Sequence, residues 1–170
     1  MPLLYDASVP VFRQLLSSLD TIIDKTLAHA EAKKIDPAVF ATARLYPDMF
    51  PFTKQITVAT DFAKGASARL AGVDVPKFED TEVTLGDAKA RLKKTQDFIA
   101  TLKPAQFEGA ETRDITIQLR PGPTIFKGKA YLLHYAMPNF YFHTTTAYAI
   151  LRHNGIEIGK PDFIHEIIKE

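Results

Sequence analysis

Four stretches of the chain place apolar residues at helical spacing, and one alternates apolar with polar. The first helix is predicted from about Ser8 to Lys33. There Phe12, Leu15, Leu16, Leu19, Ile22, Ile23, Leu27 and Ala30 repeat at i, i+3, i+4 and i+7 along one face. Pro10 fits its first turn, where a missing N–H is no loss. Asp36-Pro37 predicts the cap and first residue of a short helix running to about Leu45, ended by Tyr46-Pro47 because the residue before proline avoids the helical region. A second long helix follows Pro51, with Phe52, Ile56, Ala59, Phe62, Ala63, Ala66 and Leu70 on its apolar face and Gly72 as its stop. Residues 73–83 read as a loop. Thr84 to Asp87 reads as the capped start of a third helix, which turns Leu85, Ala88, Leu92, Phe98, Ile99 and Leu102 inward and Arg91, Lys93 and Lys94 to solvent. Pro104 ends it.

The period then changes. Asp114-Ile115-Thr116-Ile117-Gln118-Leu119 alternates as a half-buried strand does, Pro121-Gly122-Pro123 turns, and Thr124-Ile125-Phe126 returns. A lone hairpin is marginal in water, so this one must pack on the helices. The last long helix is predicted from about Gly128 to Asn154 with Gly155 as its stop, kinked or broken at Pro138. A short mixed tail runs from Ile156 to Glu170. The fold class is therefore all-α: a four-helix bundle with a small β-hairpin inserted before the last long helix, in one domain over residues 1–170.

Length supports this. A chain of 170 residues buries roughly 70 % of its unfolded surface and needs no staples. Lys and Arg total 21 and Asp and Glu 20, a net charge of +1, without the basic excess of a nucleic-acid binder. No polybasic run suggests a membrane surface, and no apolar window approaches the ~18 residues of a span. The N-terminus lacks the pattern of a secretory signal, so a cytoplasmic location is expected. Cysteine is absent, which removes disulfides, thiol nucleophiles and thiolate metal sites.

Two features carry candidate chemistry. Asn139 and His143 are spaced i, i+4 and share a helix face, a spacing that can grip one metal ion or one small ligand. Gln55 is a polar residue on the buried stripe of the second long helix, where an amide needs a hydrogen-bond partner. For His143 three readings stand: a buried histidine satisfied by a neighbour such as Gln55 or a threonine, a metal ligand, or a small-molecule contact or catalytic base. Tyr141, Tyr148 and Arg152 are candidate pocket-lining residues. Thr144, Thr145 and Thr146 are expected to bond back to carbonyls of their own helix. Asp61 is expected to face solvent, and His29, His134, His153 and His165 are not expected to be ligands. No nucleotide-binding glycine fingerprint, HExxH or nucleophile elbow is present.

Three stretches carry a resemblance: Ala7-Ser8-Val9-Pro10-Val11-Phe12, Pro47-Asp48-Met49-Phe50-Pro51-Phe52 and Pro138-Asn139-Phe140-Tyr141-Phe142-His143. The last continues into Thr146 to Gly155 and Gly159-Lys160-Pro161-Asp162-Phe163. Over nearly the whole chain it resembles a domain-of-unknown-function branch of the DinB-like superfamily. The resemblance implies a four-helix bundle, often a homodimer. In many members three histidines hold a divalent metal such as Zn or Ni, and some of these are thiol-dependent transferases. The implied positions fall on Asn139 and His143 and, within about a turn, on Gln55. Only His143 keeps an imidazole, and neutral amides suit divalent transition metals poorly. No cofactor is therefore predicted; a metal, if held, would sit on His143 with Asn139 and Gln55.

The expectation is a small-molecule-binding or interaction module lacking the family's metal centre, with Gln55, Asn139, His143 and Tyr148 as binding residues. The alternative is a metal-dependent thiol transferase or hydrolase-like enzyme using His143 as ligand or base.

Overall fold

Pro10 occupies the second position of α2 (Val9–Lys33), which follows a one-turn helix α1 (Leu3–Asp6). The Ser8 hydroxyl donates to the Leu4 carbonyl and ties the two helices together. A computed structural model describes residues 2–165. The last five residues of the predicted tail lie outside them. Helix α2 buries Phe12, Leu15, Leu16, Leu19, Ile22 and Ile23, the predicted face. Asp36 Oδ1 accepts from the Ala38 N–H at 2.9 Å and starts α3 (Ala38–Thr42). This helix stops short of the predicted Leu45. Ala43 is extended, and its carbonyl accepts from the Phe52 N–H at 2.9 Å, which docks the following loop on the start of α4 (Phe52–Ala71).

Gly72 closes α4 in the left-handed conformation, φ 71°, that glycine adopts without steric cost. A reciprocal capping box starts α5 (Leu85–Ala100): the Asp87 N–H donates to Thr84 Oγ1 at 3.1 Å, and the Thr84 N–H to Asp87 Oδ2 at 2.8 Å. The helix ends before Pro104, which opens a 3₁₀ turn (Pro104–Phe107). Strands β1 (Asp114–Gln118) and β2 (Pro123–Lys127) pair antiparallel with Ile115 opposite Phe126. Buried Ile115 and Ile117 turn the hairpin's inner face to the bundle.

The predicted last helix is built of three parts: α6 (Gly128–Tyr131), a π-turn (Leu132–Ala136) and α7 (Met137–His153). It runs through Pro138 unbroken. The irregularity lies one turn earlier, where the Met137 N–H reaches back five residues to the Leu132 carbonyl. This wider turn makes room for a proline ring that would clash with a regular preceding turn. Asn139 Nδ2 donates to the Tyr135 carbonyl at 2.7 Å, supplying a donor beside the one that Pro138 lacks. As expected, Thr144 and Thr146 donate to the carbonyls of Phe140 and Phe142, at 2.9 and 2.7 Å. A short α8 (Lys160–Ile164) then packs on α2 through the Lys25–Asp162 ion pair.

Helix α4 packs against α7 on one side and α5 on the other, and α2 closes the square against the same two helices. The buried apolar residues other than Ala68 form one continuous cluster. The architecture is the all-α four-helix bundle with an inserted hairpin. No helix among the described residues is long and apolar enough to cross a membrane.

Arg91 is a correction. It does not face solvent but is 3 % exposed. It sits where α5 meets α4, and residues 73–84 cross over it as a strap. Its Nε donates to Thr60 Oγ1, Nη1 to the Glu79 carbonyl and Glu82, and Nη2 to Asp61 and Asp80. Asp61, expected to face solvent, is thereby tied to Arg91 and also to Lys64 Nζ at 2.8 Å. The amphipathic pattern places Arg91 at the border of the apolar face, and the acids of the strap make its burial favourable.

Candidate functional site

Gln55 lies in the first turn of α4 and is 1 % exposed; His143 lies in the middle of α7 and is 8 % exposed. Packing of α4 on α7 brings Gln55 Oε1 to 2.7 Å from His143 Nδ1. Gln55 Nε2 donates to the Phe50 carbonyl at 3.1 Å, which leaves Oε1 as the acceptor. His143 Nδ1 therefore carries the hydrogen, and Nε2 keeps its lone pair. Burial lowers the His143 pKa below its ordinary 6.5, so the ring is neutral at pH 7.

His143 Nε2 has no hydrogen-bond partner among the described residues. Among the described residues two hydroxyls, Ser67 Oγ and Thr95 Oγ1, are sealed from solvent without a partner; His143 Nε2 is not one of these sealed atoms. Two aromatic rings pack on the imidazole. Phe62 stacks on the imidazole at 6.1 Å between centroids, and Phe142 meets it edge-on at 5.1 Å. The aromatic row continues from Phe62 to Tyr135 at 5.7 Å and from Tyr135 to Phe126 of the hairpin at 5.7 Å. The arrangement can accept one hydrogen bond from a molecule lying against aromatic walls, or take up a proton from it.

The other predicted residues make no hydrogen bond to this pair. Asn139 turns its amide to the Tyr135 carbonyl on its own helix. Tyr148 packs edge-on against Phe163 of α8 at 5.6 Å. Tyr141 is exposed, and partial burial raises its pKa. Arg152 Nη1 reaches the Ile156 carbonyl at 3.5 Å. His134, His153 and His165 are exposed, and His29 packs against Phe40.

The three stretches that carried the resemblance converge here. Phe50 holds Gln55, Gln55 holds His143, and Phe12 meets Phe140 edge-on at 4.8 Å. The family model described as Domain of unknown function (DUF1993) matches residues 4–164. The chain belongs to the DUF1993 family. A crystal structure described as a DinB family member protein from Shewanella denitrificans is similar at TM-score 0.90 and 38 % identity, over 98 % of this chain and 94 % of that one. The DUF1993 chain is thus a DinB-like bundle. No curated protein is significantly similar to it.

A divalent metal fits the DUF1993 site poorly. Its donors here are one imidazole nitrogen, an amide oxygen already engaged by His143 Nδ1, and the Asn139 amide, whose nitrogen is engaged by the Tyr135 carbonyl. Zinc and nickel sites draw on several imidazole, thiolate or carboxylate donors. Among the described residues no group of three or more His, Cys, Asp or Glu side chains is placed to hold a metal ion. Gln55 instead plays the part of an orienting partner that sets the tautomer of the ring.

Sequence reasoning singled out Gln55 and His143 but not the row joining them to the hairpin. Phe62 registered only as part of the apolar stripe, and Tyr135 and Phe126 carried no signal. Their contacts cross from α4 to the π-turn and β2, and no local pattern encodes that.

Proposed function

We propose that this protein binds a small molecule without a resident metal, and that His143 Nε2 is the acceptor that orients it. The observation that carries this reading is the Gln55–His143 bond, which fixes the Nδ1-protonated tautomer and leaves a neutral, unpartnered nitrogen beside aromatic walls. Such a site suits a planar molecule with an O–H or N–H donor. The same nitrogen could serve as a general base, which is what supports the hydrolase-like alternative.

Elemental analysis of protein purified without added metal, with titration of a panel of phenols and primary amides, tests the reading. Binding lost in His143→Ala supports it. A stoichiometric transition metal that disappears in His143→Ala overturns it.

We also propose a homodimer. Exposed Leu133 and Tyr141 flank an apolar groove with Met137 and Pro138, which supports this. A monomeric mass by light scattering overturns it.

A further inference from the structure

A cavity opens between α4, the π-turn region and the hairpin. Its volume is about 110 Å³, and Asp61, Phe62, Arg69, Ile117, Tyr131 and Tyr135 line it. That is less than the ~150 Å³ that encloses a benzene ring, so the cavity takes in a carboxylate and the near edge of a ring and leaves the rest at its open mouth. His143 does not line it, though Phe62 and Tyr135 belong to both.

Arg69 is set up to face this space. Gly65, one turn earlier on α4, has no side chain, and a Cβ built there would lie 2.5 Å from Arg69 Nη1. The guanidinium folds back over this gap, and Nη1 donates to the Tyr131 hydroxyl at 3.3 Å. Its Nε and Nη2 have no partner among the described residues. The other charge lining the cavity, Asp61, is already matched by Arg91 and Lys64, each at 2.8 Å. Arg69 is therefore the charge left to be answered. A planar guanidinium with free N–H groups matches a carboxylate in two-point geometry, and the remaining walls are aromatic or aliphatic.

We propose that this cavity binds the carboxylate group of a small organic acid with an apolar, preferably aromatic, body. Arg69 takes the carboxylate, Tyr131 and the gap at Gly65 hold Arg69 in place, and Phe62, Tyr135 and Ile117 pack on the body.

Titration calorimetry with benzoate, and with methyl benzoate as a neutral counterpart that has no N–H or O–H donor, tests this on the full chain. Benzoate is expected to bind at least tenfold more tightly than methyl benzoate. Arg69→Gln is expected to remove at least tenfold of benzoate affinity. Gly65→Ala separates this role from folding: the new methyl displaces the guanidinium, so affinity falls while the melting temperature does not. Equal binding of benzoate and methyl benzoate, benzoate binding unaffected by Arg69→Gln or Gly65→Ala, or no benzoate binding at all overturns the proposal. None of these results bears on the His143 reading, because that site is scored with neutral donors and with His143→Ala.

Discussion

Gln55 Oε1 accepts a hydrogen bond from His143 Nδ1 at 2.7 Å, across 88 residues of sequence. Both groups are buried, and each depends on the other. Without Gln55 the Nδ1–H has no acceptor; without His143 the amide oxygen has no donor.

Replacing Gln55 with Leu is expected to lower stability by about 1–3 kcal/mol, the cost of a buried polar group left unpaired. Urea unfolding measures it. Paired with His143→Leu in a double-mutant cycle, the two should couple by at least about 0.5 kcal/mol. Strict additivity would show that the bond contributes nothing to the folded state.

Stability should fall on mild acidification. Burial holds the His143 pKa below 6.5 in the folded chain, so the unfolded chain binds more protons as the pH drops. Stability then rises with pH. The contribution is complete above about pH 6.5 and is lost as the pH falls through the folded value. Urea midpoints between pH 7.5 and 5 should decline in the parent and decline less in His143→Gln.

The strap over Arg91 predicts a local effect. Arg91→Met keeps the aliphatic stem but strips partners from Glu82, Asp61 and Asp80. The expected loss is about 2–3 kcal/mol. It lies below the ~3–5 kcal/mol of a fully buried pair because the Asp61 and Asp80 side chains are 42 % and 46 % exposed and water screens them. Amide exchange in residues 73–84 should quicken well beyond that in α2.

Gly128 permits a close approach rather than a special backbone angle. A methyl there would run into the Ala110 carbonyl, and Leu70 Cδ2 lies 3.3 Å away on another side. Its N–H also donates to the Arg113 carbonyl at 2.9 Å, which anchors the segment. Gly128→Ala should therefore destabilise by about 1–3 kcal/mol or more, despite alanine's better helix propensity. At Gly65 the nearest obstacle is the movable end of Arg69, so Gly65→Ala should instead gain up to about 1 kcal/mol. Thermal denaturation of the two variants, read side by side, checks the contrast.

Much of the fold is legible in the sequence. The stripe from Phe12 to Ile23, the Thr84–Asp87 cap, the Gly72 stop and the alternation over Asp114–Gln118 each follow from neighbours within a turn or a strand. Pro138 was legible as a disturbance but not in its form, because a proline can break, kink or displace a helix. The π-turn between Tyr131 and Met137 depends on how that helix seats on α4 and the hairpin. Arg91 was misplaced for a related reason. A residue at the border of an apolar face goes inward only if acids arrive from elsewhere, and these come from residues 79–82 of the strap and from Asp61 of α4.

For the site, sequence alone marked Gln55 and His143 as buried polar residues in need of partners, since periodicity assigns a face and a polar residue on it stands out. It could not say that they satisfy each other, that Asn139 turns back to Tyr135, or that Arg69 lies over Gly65 beside Tyr131. Periodicity is a local property, repeated every few residues and readable in one dimension. A hydrogen bond between two helices depends on their offset and rotation, and those are set only when the whole core packs.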